Sequence, residues 1–187
     1  MNDTERALLI SVHPRFATAI LEGTKTVELR RQRVAVPEGT PVVLYATSPV
    51  MAIVGTARVS RVDSATPAVI WRRHRADSGI NRDEYNAYMH GASQASALVL
   101  KSPQPLEQAV PLARLRVGGP FHPPQSYRYV TRSFLIELLC GHEAEAQLLG
   151  QLKTAQPSES HPVRTLTPRA NPKSGMRSSS LLTVSTS

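Results

Sequence analysis

The stretch Gly23-Thr24-Lys25-Thr26-Val27-Glu28-Leu29-Arg30 joins the end of one element to the start of the next. Glycine enters the left-handed backbone region without a Cβ penalty, so Gly23 suits the residue that closes a helix. From Thr26 onward apolar and polar residues alternate strictly, and successive strand side chains point to opposite faces. Val27 and Leu29 therefore turn to the core, while Thr26, Glu28 and Arg30 take the other side. An ammonium, a carboxylate and a guanidinium gather where this strand begins.

Upstream, residues 7–12 are an apolar strand, and Pro14 can open a helix because its missing N–H is not needed at the first position. His13 occupies the cap, and Phe16, Ala17, Ile20 and Leu21 fall on one helical face. Downstream, Pro37-Glu38-Gly39-Thr40 is turn chemistry, and residues 42–46 and 51–62 read as strands. Thr66-Pro67 starts a helix through Arg75, and Asn81 with Glu84 forms a capping box for another that ends near Gly91. These two helices form an insertion between strands. Residues 95–101 and 112–117 return to strand character. Residues 131–152 read as one helix with an apolar stripe of Phe134, Leu135, Leu138 and Leu139. No repeat at the roughly 20–50-residue periods of solenoids or propellers is present. The order predicts an α+β protein, a mainly antiparallel β-barrel with short flanking helices.

The chain has 187 residues, 41% of them hydrophobic, which suits one domain plus unpacked sequence. All nine aromatic residues precede position 151. The folded domain is therefore assigned to 1–150, and 151–187, rich in Ser, Thr and Pro, to a disordered basic tail. The formal charge of +8 divides evenly: 17 Lys and Arg against 13 Asp and Glu in residues 1–150, and 5 against 1 beyond. Basic surface attracts phosphates, but half of the excess belongs to the tail. No apolar run approaches the roughly 18 residues of a membrane span, and MNDTER lacks the order of a secretory signal, so the expectation is a cytoplasmic protein with no membrane partner. A single cysteine, Cys140, excludes an internal disulfide and reads as a packed thiol in an apolar helical pattern. The six histidines are scattered, and no two have the i, i+4 spacing of a helical metal site. Neither a metal nor a cofactor is expected.

The octet resembles the Gly-x-Lys-x-x-Glu-x-Arg signature of ASCH domains. The resemblance extends to Ser11-Val12-His13-Pro14, to Val43-Leu44-Tyr45-Ala46-Thr47 and Ile53-Val54-Gly55-Thr56-Ala57, and to Pro123-Pro124-Gln125-Ser126-Tyr127. It implies a PUA-like barrel related to RNA-binding domains, with Lys25, Glu28 and Arg30 around a cleft for RNA or a nucleotide. The chemistry is compatible: Arg30 can offer a planar fork, Lys25 a compact charge, and Glu28 an acceptor for a base amino group. The same three residues can instead form an internal ion network that only shapes the barrel mouth. Arg15, Arg31 and Arg33 are candidates for further backbone contacts. Tyr45, Tyr127 and Tyr129 are candidates for base stacking, although packing is their more ordinary role. Trp71-Arg72-Arg73-His74-Arg75 is a basic helical segment whose tryptophan anchors the insertion.

The resemblance also brings enzymes into view. Small ASCH amidohydrolases use the motif lysine with a threonine three residues later, a position that is Glu28 here. A carboxylate does not replace an alcohol that must be acylated and released by water. Ribonuclease activity within the family would instead need Lys25 and Glu28 as acid and base. The expectation is a non-catalytic RNA- or nucleotide-binding module with a regulatory role, the tail recruiting a protein partner. The alternative is a hydrolase acting on RNA or modified nucleosides.

Overall fold

The computed structural model describes residues 6–153. The tail expected from residue 151 lies outside the described residues, except for Gln151 and Leu152, which close the last helix, and Lys153, which follows it. The elements run β1 (Arg6–Val12), α1 (Pro14–Leu21), β2 (Val27–Arg30), β3 (Pro41–Ala46), β4 (Ala52–Ala65), α2 (Pro67–His74), α3 (Arg82–Met89), β5 (Ala95–Pro111), α4 (Leu112–Leu115), β6 (Tyr127–Thr131), α5 (Arg132–Leu139) and α6 (Ala144–Leu152). No helix among the described residues is long and apolar enough to cross a membrane.

One six-stranded sheet has the order β2-β5-β4-β3-β1-β6. Pairing is antiparallel throughout except between β1 and β3, which the α1–β2 crossover makes parallel. The expected barrel is not closed: among the described residues the end strands β2 and β6 do not pair with each other. The sheet is nevertheless strongly curled. β2 and β1 stand four places apart in the order, about 19 Å in a flat sheet, yet Arg30 Nη2 donates to Ser11 O at 3.2 Å. Only curling can bring that side chain within reach, and right-handed strand twist supplies it. The edge strand thereby faces the C-terminal end of β1, which creates a cleft between them.

Alternation sorts the core. Leu8, Ile10 and Val12 of β1 join Val42, Leu44 and Ala46 of β3 and Ala17 and Ile20 of α1 on one face. Leu9, Val43 and Tyr45 pack on the other against Leu115, Leu135, Leu139 and Leu148 from the C-terminal helices. β1 is thus buried on both faces, as a central strand's unbroken apolar run requires. A third cluster joins Val27 and Leu29 of β2 to Ile70, Tyr85 and Met89 of the insertion. Trp71 packs at its margin with its ring 4.7 Å from that of Tyr85, the anchoring role expected of it.

The C-terminal third departs from expectation. Residues 112–117 form not a strand but the turn of helix α4, because Leu112 and Leu115, three apart, both reach the same core face. β5 runs ten residues beyond its expected end, through prolines that its shifted registers against β4 accommodate. Gly55 is obligatory at that crossing, since a Cβ would lie 2.6 Å from Gln104 O. The expected single helix over 131–152 is two, broken at Gly141 with φ +74°. Cys140 sits at that break and is exposed, which corrects its assignment as a packed thiol.

The insertion is clamped to β4. His74, 5% exposed, places Nε2 3.0 Å from Asp63 Oδ2, and Arg73 Nη1 donates to both oxygens of Asp63 at 3.0 and 3.1 Å. The hydrogen bond from His74, reinforced by Arg73, holds the Asp63 carboxyl below its ordinary range. A carboxyl whose folded pKa is depressed contributes stability above its unfolded value of about 3.8 and loses it as pH falls through the folded value. Asp63→Asn should therefore flatten the acid limb of a melting-temperature profile. An unaltered slope below the ordinary carboxylate range would show that the clamp contributes nothing.

Candidate functional site

The N-terminus of α1 and the start of β2 supply the floor of the site. His13 caps α1, its Nδ1 accepting from Arg15 N at 3.3 Å, as its place before Pro14 suggests. Gly23, with φ +77°, ends the turn and sends the chain back toward β2. The loop 77–79 then docks on the strand: Asp77 O accepts from Thr26 N at 3.1 Å and Val27 N at 3.0 Å. Gly79 lets this loop close, because a Cβ there would stand 3.3 Å from Lys25 Cδ.

Lys25, Glu28 and Arg30 come together, and all three are buried. Alternation places Glu28 and Arg30 opposite Val27 and Leu29 as expected, but that second face is covered rather than solvated. Lys25 is 2% exposed; its Nζ donates to Val27 O and, at 2.5 Å, to Ser78 O, and lies 3.4 Å from Glu28 Oε2. It also stands 4.8 Å from the Phe16 ring centroid. Three N–H donors thus meet three protein acceptors. Burial drags the Lys25 pKa down, with Glu28 opposing and Arg30 and Arg15 adding to the depression.

Glu28 Oε1 lies 3.4 Å from Arg30 Nη2, so the carboxylate is shared between the two cations. Arg30 spends Nη2 on Glu28 and Ser11 O, while its Nε is buried without a hydrogen-bond partner. A buried polar group so left usually costs about 1–3 kcal/mol. The cleft holds about 420 Å³ and is walled by Ser11, His13, Phe16 and Arg15 on one side and Ser78, Ile80, Glu84 and Tyr88 on the other. Tyr88 Oη donates to Leu29 O at 3.3 Å, and burial raises its pKa against the neighbouring Arg30.

That Ser78, Ile80, Glu84 and Tyr88 line the cleft escaped the sequence reading, which placed Glu84 only in a capping box, because they belong to the insertion, some fifty residues from the motif. The one signal was the insertion itself, which must pack somewhere. Among the secondary candidates, only Arg15 lines the cleft. Arg31 Nη2 donates to His90 O at 2.7 Å, and Arg33 borders a separate hollow with Val62 and Ser64. Tyr45 is 2% exposed, packed against Phe121 at 6.4 Å, so its ring offers no face for stacking. Tyr127 packs against the core, and Tyr129 donates to Ala35 O at 3.3 Å.

The family model described as a domain of unknown function (DUF365) matches residues 6–122. A protein of Zymomonas mobilis named ASCH domain-containing ribonuclease is 32% identical over 126 residues, which are 66% of this chain and 84% of that protein. The crystal structure of ASCH from Zymomonas mobilis matches with a TM-score of 0.66 at 29% identity, covering 71% of this chain and 93% of that one. A serine-to-alanine variant of the protein from the same organism matches at 0.65 with 27% identity, covering 81% and 99%.

Proposed function

The chain belongs to the ASCH domain family, and on that premise we propose that its cleft binds one nucleotide unit of single-stranded RNA without cleaving it. The observation that carries the proposal is Arg30, whose buried Nε lacks an acceptor beside the carboxylate of Glu28. A donor and an acceptor fixed side by side complement the polar edge of a base, and Arg30 equally suits a phosphate oxygen. A base must leave its stack to reach groups this deeply buried, which favours single strands over duplex.

Lys25 decides against catalysis in this reading. An acid or base must reach the proton it moves, and the Lys25 ammonium is spent on Val27 O, Ser78 O and Glu28. Its role is to hold Glu28 in place. The second reading, hydrolysis of RNA, draws on the name of the Zymomonas mobilis relative and on the depressed pKa of Lys25.

The test is a titration of short single-stranded RNAs and free nucleotides, with the products separated after prolonged incubation. Binding without new fragments is the expected result, and Glu28→Gln should shift base preference more than total affinity. Cleavage abolished by Lys25→Met in a folded variant would establish the hydrolase instead. Absence of binding by every RNA and nucleotide would remove both readings.

A further inference from the structure

Arg15 and Glu84 meet across the cleft from different elements. Arg15 Nη2 lies 2.5 Å from Glu84 Oε1, and the guanidinium carbon stands 4.4 Å from the Phe16 ring centroid. The ring therefore supports the guanidinium while the carboxylate occupies one of its donors. Both side chains remain open to solvent, at 52% and 36%, in contrast to Lys25, Glu28 and Arg30 below them.

Glu84 has a second duty that holds it there. Its Oε2 accepts from Asn81 N at 3.2 Å, and Asn81 Oδ1 accepts from Glu84 N at 2.9 Å, a complete capping box at the start of α3. The carboxylate is thereby presented to Arg15 at no further rotamer cost. The hydrogen bond from Arg15 and that from Asn81 N keep the Glu84 carboxyl below its ordinary range.

We propose that Arg15, laid over Phe16, is a second anion subsite for the phosphodiester flanking the nucleotide at Arg30, and that Glu84 fills this subsite until the phosphate displaces it. The inference rests on the cleft being an RNA site, as argued above. It adds an internal competitor: the incoming phosphate takes the place of a carboxylate on the same guanidinium fork, so Glu84 lowers affinity for any anion arriving there. An uncharged ligand does not disturb the pair and escapes this competition. Glu84 is then a selectivity element, setting the threshold that a phosphate must pass.

Two probes separate this inference from its premise. Binding of a single-stranded RNA hexamer and of pyrophosphate is measured for the wild type, Glu84→Gln, Arg15→Gln and the double variant. The pyrophosphate arm follows the Arg15 Nε–H resonance. Glutamine keeps the carbonyl that accepts from Asn81 N, so α3 should stay capped, and thermal melts check it. Glu84→Gln should tighten both probes by about two- to fivefold, the range allowed by breaking one exposed ion pair. It should also steepen the salt dependence of RNA binding by up to about 0.7 in the logarithmic slope, because no displaced carboxylate is left to take up a cation for the one the phosphate releases. Arg15→Gln should cancel both gains in the double variant.

If RNA binds but Glu84→Gln changes neither affinity nor slope, the subsite is overturned while the RNA reading stands. If RNA fails to bind while pyrophosphate moves the Arg15 signal more tightly in Glu84→Gln, the subsite stands and the RNA reading falls. A gain that persists in the double variant overturns the competition with Arg15.

Discussion

Replacing Lys25 with methionine should destabilise the protein by about 3 kcal/mol, the lower end of the range for breaking a buried ion pair by removing one partner. An exposed pair would cost about 0–1 kcal/mol, so burial decides the magnitude. Lys25 is 2% exposed, and its loss strips Val27 O and Ser78 O of a donor and leaves Glu28 with Arg30 alone. Methionine keeps most of the side-chain volume and removes the desolvation of the ammonium, which is why the loss does not reach the sum of its hydrogen bonds. For a domain near 150 residues the shift in melting temperature is about 10 °C. Urea melts with unchanged m-values would report it. A loss below about 1 kcal/mol would mean that the network is an exposed pair in disguise.

The same variant exposes a pH dependence. The folded pKa of Lys25 lies below its unfolded value of 10.5, so between the two the unfolded chain binds the extra proton and this group adds stability as pH rises. The stability difference between wild type and Lys25→Met should therefore widen toward alkaline pH, up to about 10.5. Taking the difference removes the titration of the tyrosines, which both proteins share.

Arg30→Lys should weaken RNA binding by about 10- to 100-fold while leaving the fold intact. A hydrogen bond to a charged group contributes about 1.5–3 kcal/mol, and lysine has no planar fork to replace the edge carrying Nε. Its ammonium can still pair with Glu28, so the stability loss should stay well below that of Lys25→Met. Equal affinities for wild type and Arg30→Lys would place the ligand elsewhere and remove the Arg30 guanidinium as its anchor.

The two variants separate the ligand contact that the motif resemblance implies for Arg30 from the internal ion network that was its alternative. Local chemistry was legible. Pro14 after His13, Gly23 at the end of α1 and the Asn81–Glu84 box act through backbone groups within a few residues, so spacing suffices to find them. The alternation in β2 likewise predicted which side chains share a face. Errors arose where distant packing outweighed local pattern: Leu112 and Leu115 read as strand yet turn into a helix to reach one core face, and Gly141 divides what looked like a continuous helix. The barrel resemblance pointed to curvature, but closure depends on whether β2 and β6 meet, a property of the whole sheet.

From its sequence the chain determined that Lys25, Glu28 and Arg30 would cluster, because periodicity and a glycine turn operate over a few residues. Tertiary structure divided the labour among them. The curl of the sheet carries Arg30 to Ser11, and the insertion lowers Ser78 onto Lys25 and sets Glu84 against Arg15. How each of these charges is held depends on acceptors contributed from remote parts of the chain, and desolvation makes that difference matter.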